Sequence, residues 1–222
     1  MSHPSPQKPQ RLISIFGFFV PGLGHITKGY YLSGLLFLIT GITLIMGVAT
    51  TGLLHSNLGL EGMILGLAAI HCLSAGASYR LAAKSRPSRS RKVLSCVGFI
   101  LLSCALYFGL LLNRTALLGA DMYQVISDSM LPTLQPGDYI LVDTWEHEKK
   151  TLSPGTIITF QSPLNGQITV KRISHINANT QPERLFVLGD NPEHSFDSRA
   201  YGWLDKDKVT GTVTRIFSNP LP

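Results

Sequence analysis

The chain has 222 residues, of which 45% are hydrophobic and only 14% charged, too few charges to cover a wholly soluble globule of this size. Ten of the 19 Lys and Arg residues, but one of the 13 acids (Glu61), lie in the stretch ending at Arg114, so the net charge of +6 belongs to the first half. Clustered cations can neutralise nucleic-acid phosphates, but this cluster lies between two apolar stretches, where it reads as a membrane-topology signal, so no nucleic-acid partner is expected.

In chain order, Lys8 and Arg11 precede an apolar and aromatic segment, Leu12 to Thr27, broken by Pro21, Gly22 and Gly24. It is too short to cross a bilayer and is expected to lie in the interface or re-enter. No small-x-small site closes a short apolar region there, so the N-terminus is expected to be retained.

Three uncharged stretches follow, with spans expected at about 34–54, 62–79 and 93–113. About 20 apolar residues at ~1.5 Å each cover a hydrocarbon core of ~30 Å, and the backbone must bond to itself there, so these are helices. The middle span is rich in Gly, Ala and Ser, which suits close helix packing. Cys72, Cys96 and Cys104 all fall in apolar stretches and are read as inert thiols.

The connection from Tyr79 to Lys92 holds six basic residues and no acid, whereas His55 to Glu61 has no basic residue. The positive-inside rule puts the basic loop and the N-terminus in the cytoplasm, and everything after the third span outside it. The division is therefore a membrane domain, 1–115, and an extracytoplasmic domain, 116–222.

The second domain reads as β-rich. Short β-branched runs recur at Tyr123–Ile126, Tyr139–Val142, Thr156–Phe160, Ile168–Ile173, Leu185–Leu188 and Val209–Phe217, punctuated by Gly, Pro, Asn and Asp turns. No helical period survives. About a hundred residues with six such strands can close a small all-β barrel or sandwich. No HExxH or paired Cys/His spacing points to a metal, and no cofactor is expected.

Three segments carry chemistry-bearing residues: Ser127-Asp128-Ser129-Met130-Leu131-Pro132-Thr133; Lys171-Arg172 within a β-branched run; and Gly189-Asp190-Asn191-Pro192-Glu193-His194-Ser195-Phe196-Asp197-Ser198-Arg199. A serine hydroxyl needs a base to become a nucleophile. Lysine at its ordinary pKa of ~10.4 is protonated and cannot serve, but burial can lower that value by about 3–5 units. Lys171, beside Thr169, Val170 and Ile173, has an apolar setting available, and Ser-Lys dyads are a known variant of triad logic. On composition alone, His147, His175 and His194 are also available as partners for Ser129, and all three read more simply as surface residues.

At these three segments, in this order, the sequence resembles the signal peptidase I family, whose pattern is a Ser-x-Ser-Met-x-Pro-Thr box, a Lys-Arg strand and a Gly-Asp-Asn-x-x-x-Ser-x-Asp-Ser-Arg box. The likeness continues through Tyr201-Gly202 and Gly211-x-Val213 and covers essentially the whole second domain. It implies an all-β catalytic domain of the signal peptidase type behind the membrane spans, anchored in a bacterial cytoplasmic membrane. It makes Ser129 the nucleophile, Lys171 the general base and Ser127, with the Ser129 N–H, the oxyanion hole. Ser195 is expected beside the lysine, Asp197 and Arg199 as an ion pair fixing the loop, and Asp190 as a further support. Met130, Leu134, Thr169 and Val170 are expected to line shallow pockets favouring alanine. The implied partners are exported precursor proteins with signal peptides, cut after small-x-small, along with membrane lipid and the secretion machinery. The unusual multi-span first half and the near-minimal second domain keep two alternatives open: a dedicated processing peptidase for one partner such as a pilin, and a non-catalytic peptide-binding module.

Overall fold

The computed structural model describes residues 18–84, 88–145 and 152–219. The chain divides into two compact units, Met1–Asn113 and Arg114–Pro222.

In the first unit, a short helix α1 (Leu23–Ile26) is followed by α2 (Tyr31–Thr50), α3 (Asn57–Arg80) and α4 (Arg89–Leu112). These last three are long and apolar enough to cross a membrane. Serines open two of them: Ser56 accepts from the Gly59 N–H at 3.0 Å and Ser88 from the Arg91 N–H at 3.4 Å, satisfying donors left over at a helix start. At these caps α3 and α4 begin five and four residues before the expected spans, and α2 begins three residues before its span without a side-chain cap.

Of the Leu12–Thr27 segment, residues 18–27 are described, and 21–27 are buried. Leu23 and Ile26 join Leu38 of α2 and Phe99 of α4 in one apolar cluster. Small residues allow this approach. The Gly22 N–H bonds to Ser74 Oγ of α3 at 2.7 Å, and a Cβ on Gly22 would lie 2.1 Å from the Gly34 carbonyl oxygen. Lys28 Nζ donates to the carbonyls of Ser78 and Leu81, a cation on the exposed acceptors that end α3.

The second unit is one antiparallel sheet of seven strands in the order β1-β2-β7-β3-β4-β5-β6. The strands are β1 (Ala120–Gln124), β2 (Tyr139–Asp143), β3 (Ile157–Gln161), β4 (Ile168–Asn177), β5 (Arg184–Leu188), β6 (Leu204–Asp205) and β7 (Val209–Phe217), with short helices α5 (Arg114–Leu118) and α6 (Ser198–Tyr201). β6 has only two residues and gave no run to read in the sequence. Adjacent residues of β3 enter different cores, as strand alternation requires. Ile158 and Phe160 pack with Ile173, Leu185, Val187 and Val209, while Ile157 packs with Val125, Met130, Leu134, Ile140 and Val142.

The sheet is curled. Four strand steps separate β1 from β4, ~19 Å in a flat sheet. Yet Val125 and Met130, just past β1, share a core with Val170 of β4. The result is an open half-barrel whose concave side is closed by the β1–β2 connection, residues 125–138.

Candidate active site

The β1–β2 connection is fixed by its own backbone. The Val125 N–H bonds to the Asp138 carbonyl at 2.8 Å, the Gly137 N–H to the Val125 carbonyl at 2.7 Å, and the Leu131 N–H to the Asp128 carbonyl at 3.1 Å. Met130 and Leu134 anchor it with no exposed surface. Ser127 and Ser129 therefore lie past the end of β1, which stops at Gln124. The expected strand Tyr123–Ile126 is displaced to Ala120–Gln124, and the chain beyond it turns so that the Met130 and Leu134 side chains enter the core. The turn nonetheless brings Ser127 Oγ to 3.3 Å from Ser129 Oγ.

Lys171 lies on β4 opposite Ile158 of β3 and is only 3% exposed. Its Nζ donates to Ser129 Oγ at 2.7 Å. Burial lowers its pKa, and the nearby carboxylates of Asp197 and Asp190 oppose that without cancelling it. Arg172, on the opposite side of the strand, holds Asp190 through Nε to Oδ1 at 2.8 Å and Nη2 to Oδ2 at 2.7 Å. Its guanidinium keeps the Asp190 carboxyl below the usual range. Nη1 reaches the Gly155 carbonyl at 2.8 Å and Nη2 the Thr133 hydroxyl at 3.3 Å. Sequence reasoning gave Arg172 no role, although its position beside Lys171 on a strand already sent it the other way.

Asp197 is fully buried. It accepts from the Gly189 N–H at 2.9 Å, the Ser195 hydroxyl at 2.7 Å, and Arg199 Nε and Nη2 at 2.9 and 2.7 Å. Burial pushes its carboxyl up, but Arg199, the Gly189 N–H and Ser195 together hold it well below the ordinary value. Ser195 was expected to orient the lysine amine. Its hydroxyl goes to Asp197, and among the described residues there is no hydrogen bond between Ser195 and Lys171.

A cleft of about 220 Å³ opens beside Ser129 and Lys171, with Ser127, Thr169 and Val170 among its walls. Ile126, Ile168 and Gln167 also line it. Met130 and Leu134 are fully buried in the core cluster and are not among the residues that form these walls. β5 pairs with β4 only from Arg172 to Asn177, so Ile168–Lys171 has β3 on one side and, among the described residues, no strand on the other. β1, at the end of the sheet, likewise has β2 alone. The cleft lies between these two open edges.

The histidines sit elsewhere. His175 Nδ1 is 2.8 Å from Ser174 Oγ, and His194 pairs with Asp128. Neither is bonded to Ser129 among the described residues, and His147 lies outside them.

The family model described as signal peptidase, peptidase S26, matches residues 93–178 and 174–218. The chain belongs to the peptidase S26 family. As a signal peptidase of this family it is a membrane peptidase that acts on precursors bearing signal peptides. It is 29% identical over 121 residues to the mitochondrial inner membrane protease subunit 2 of Mus musculus, covering 46% of this chain and 69% of that protein. It is 28% identical over 159 residues to a probable signal peptidase I-1 of Synechocystis sp., covering 53% of this chain and 80% of that one.

Proposed function

We propose that this signal peptidase is a serine endopeptidase in which Ser129 is the nucleophile and Lys171 the general base, cutting exported precursors after a small-x-small sequence. The observation that carries this reading is the 2.7 Å contact from Lys171 Nζ to Ser129 Oγ, made by a lysine that burial has almost removed from water. A desolvated amine gives up its proton more readily than one in solvent, and only the neutral amine can accept the serine's.

In the reaction, neutral Lys171 takes the Ser129 hydroxyl proton as Oγ forms a bond to the scissile carbonyl carbon. The oxyanion is met by the Ser127 hydroxyl and the Ser129 N–H, two donors that strengthen as charge develops. The ammonium of Lys171 then protonates the leaving amine as the C–N bond breaks, leaving an acyl-enzyme. Lys171 next takes a proton from a water molecule as its oxygen attacks the ester carbon, and the resulting ammonium returns that proton to Ser129 Oγ as the acyl C–O bond breaks, releasing the new carboxyl terminus. Asp197, Arg199 and Ser195 hold the loop behind the lysine, and Asp190 ties that loop to Arg172. The precursor lies extended in the cleft between the open edges of β1 and β4, a form of strand addition, with Thr169 and Val170 admitting only small side chains.

The membrane domain, residues 1–115, anchors the enzyme with its six-cation loop in the cytoplasm, so residues 116–222 act outside it, next to membrane lipid and the secretion machinery. The test is cleavage of a precursor with an Ala-x-Ala site by the full chain in detergent. Wild type is expected to cut after the last alanine, while Ser129→Ala and Lys171→Ala are inactive. Cleavage by Lys171→Ala would remove the base assignment, and an intact generic precursor would favour an enzyme dedicated to one partner.

A further inference from the structure

The turn that presents Ser129 lies outside the strand ladders, so its position depends on what holds it from the side. Loop 189–195 does so at successive points. The Asn191 N–H donates to the Ser129 carbonyl at 3.0 Å. Asn191 Nδ2 donates to the Asp128 carbonyl at 3.1 Å. His194 Nδ1 meets Asp128 Oδ2 at 2.5 Å. The last contact carries the most information, because Asp128 is the residue between Ser127 and Ser129. A carboxylate only accepts, so Nδ1 carries the hydrogen in either protonation state of the ring.

As a plain ion pair this contact is weak: the His194 and Asp128 side chains are 57% and 41% exposed, and such pairs add little to stability. Its value lies in geometry. The loop that grips Asp128 is itself fixed through Asp190 to Arg172, next to the lysine, and through the buried Asp197. The clasp thus gives the serine segment and the lysine strand a common reference. Displacement of a reacting group by about 1 Å can cost 10²-fold in rate.

We propose that His194 is a positioning residue, which through Asp128 holds the Ser127–Ser129 segment in register with Lys171. This rests on Ser129 being the nucleophile. It assigns His194 no proton transfer.

The test uses the full chain in detergent and an Ala-x-Ala precursor, with kcat and KM measured separately for His194→Ala, Asp128→Ala, the double variant and His194→Asn. Each single alanine variant is expected to lose about 10-fold in kcat at unchanged KM, a fraction of the loss that a full displacement would bring. The double variant is expected to lose no more than either single, since residues acting through one contact are not additive. His194→Asn, whose amide nitrogen is bonded to Cγ as Nδ1 is and still donates to Asp128, is expected to retain most of the rate. Unchanged kcat in His194→Ala, multiplicative loss in the double variant, or an asparagine variant as slow as alanine would each overturn the proposal. Ser129→Ala runs alongside as a control. Persistent cleavage there removes the nucleophile assignment and this inference with it, whereas a dead Ser129→Ala beside a fully active His194→Ala removes this inference alone. The pair is exposed, so the variants are expected to fold.

Discussion

The Ser195 hydroxyl donates a hydrogen bond to Asp197 at 2.7 Å, while the Lys171 amine donates one to Ser129 at the same distance. The two contacts divide the labour around the site. One closes a buried carboxylate on its own loop, and the other sets the lysine against the serine that it is proposed to activate. Asp197 still reaches Lys171 through its charge, as does Asp190, and this long-range influence is measurable.

The pH–rate profile reports it. As the proposed base, Lys171 has to be neutral to act, and burial lowers its pKa against the pull of the two aspartates. The ascending limb of kcat/KM is therefore expected below the ordinary lysine value of ~10.4. Asp190→Asn removes one stabilising negative charge and frees Arg172, both of which disfavour the ammonium, so the limb shifts to lower pH. A shift to higher pH, or none, in kcat/KM measured across the profile would contradict this account of the lysine.

Asp197 governs stability. Its folded carboxyl is held below its ordinary value, so the stability it contributes is present above the unfolded carboxylate pKa of ~3.9 and is lost as pH falls through the folded value. Asp197→Ala strips partners from the Gly189 N–H, Ser195 and Arg199, and the expected cost at neutral pH is about 3 kcal/mol. Denaturant midpoints at neutral and acid pH should show the gap between wild type and variant narrowing on acidification.

Gly189 is a steric test of the same loop. A Cβ there would stand 2.2 Å from Ser195 Oγ and 2.6 Å from the Ser129 carbonyl oxygen. The second neighbour is backbone and can yield only by moving the nucleophile. Gly189→Ala is expected to lower kcat at least 10-fold, and steady-state cleavage with a melting curve separates that from simple unfolding.

Topology is testable by labelling. With the native cysteines replaced, a cysteine at Ala83 should be shielded from a membrane-impermeant maleimide in intact cells, and one at Asn57 should react. The reverse pattern would invert the charge-based orientation.

Much of this was legible in the chain because the relevant signals are local. Among the described residues, apolar runs found the three long helices, and β-branched runs between turn residues overlapped six of seven strands, the first of them only at Tyr123 and Gln124. Contacts between distant segments were not legible from local signals, and the pairing of Ser129 with Lys171 was expected only through the family resemblance. Whether Ser195 meets Lys171 or Asp197 depends on how a loop folds back, and nothing in the spacing of Asp128 and His194, 66 residues apart, announces their meeting. Met130 and Leu134 illustrate a third kind of gap. Apolar residues beside a nucleophile suit a pocket wall and a core equally well, and only packing decides between them.

The strand order has a consequence for when activity can arise. β1 and β2 carry the nucleophile side of the sheet and β3 to β6 the lysine side, and the two halves are joined through β7, which follows all of them in the chain. A polypeptide emerging from its N-terminal end holds every site residue well before residues 209–217 arrive, yet has no middle strand on which to assemble them. Synthesis itself thus acts as a timer: the peptidase stays unarmed until its final strand slots between the halves.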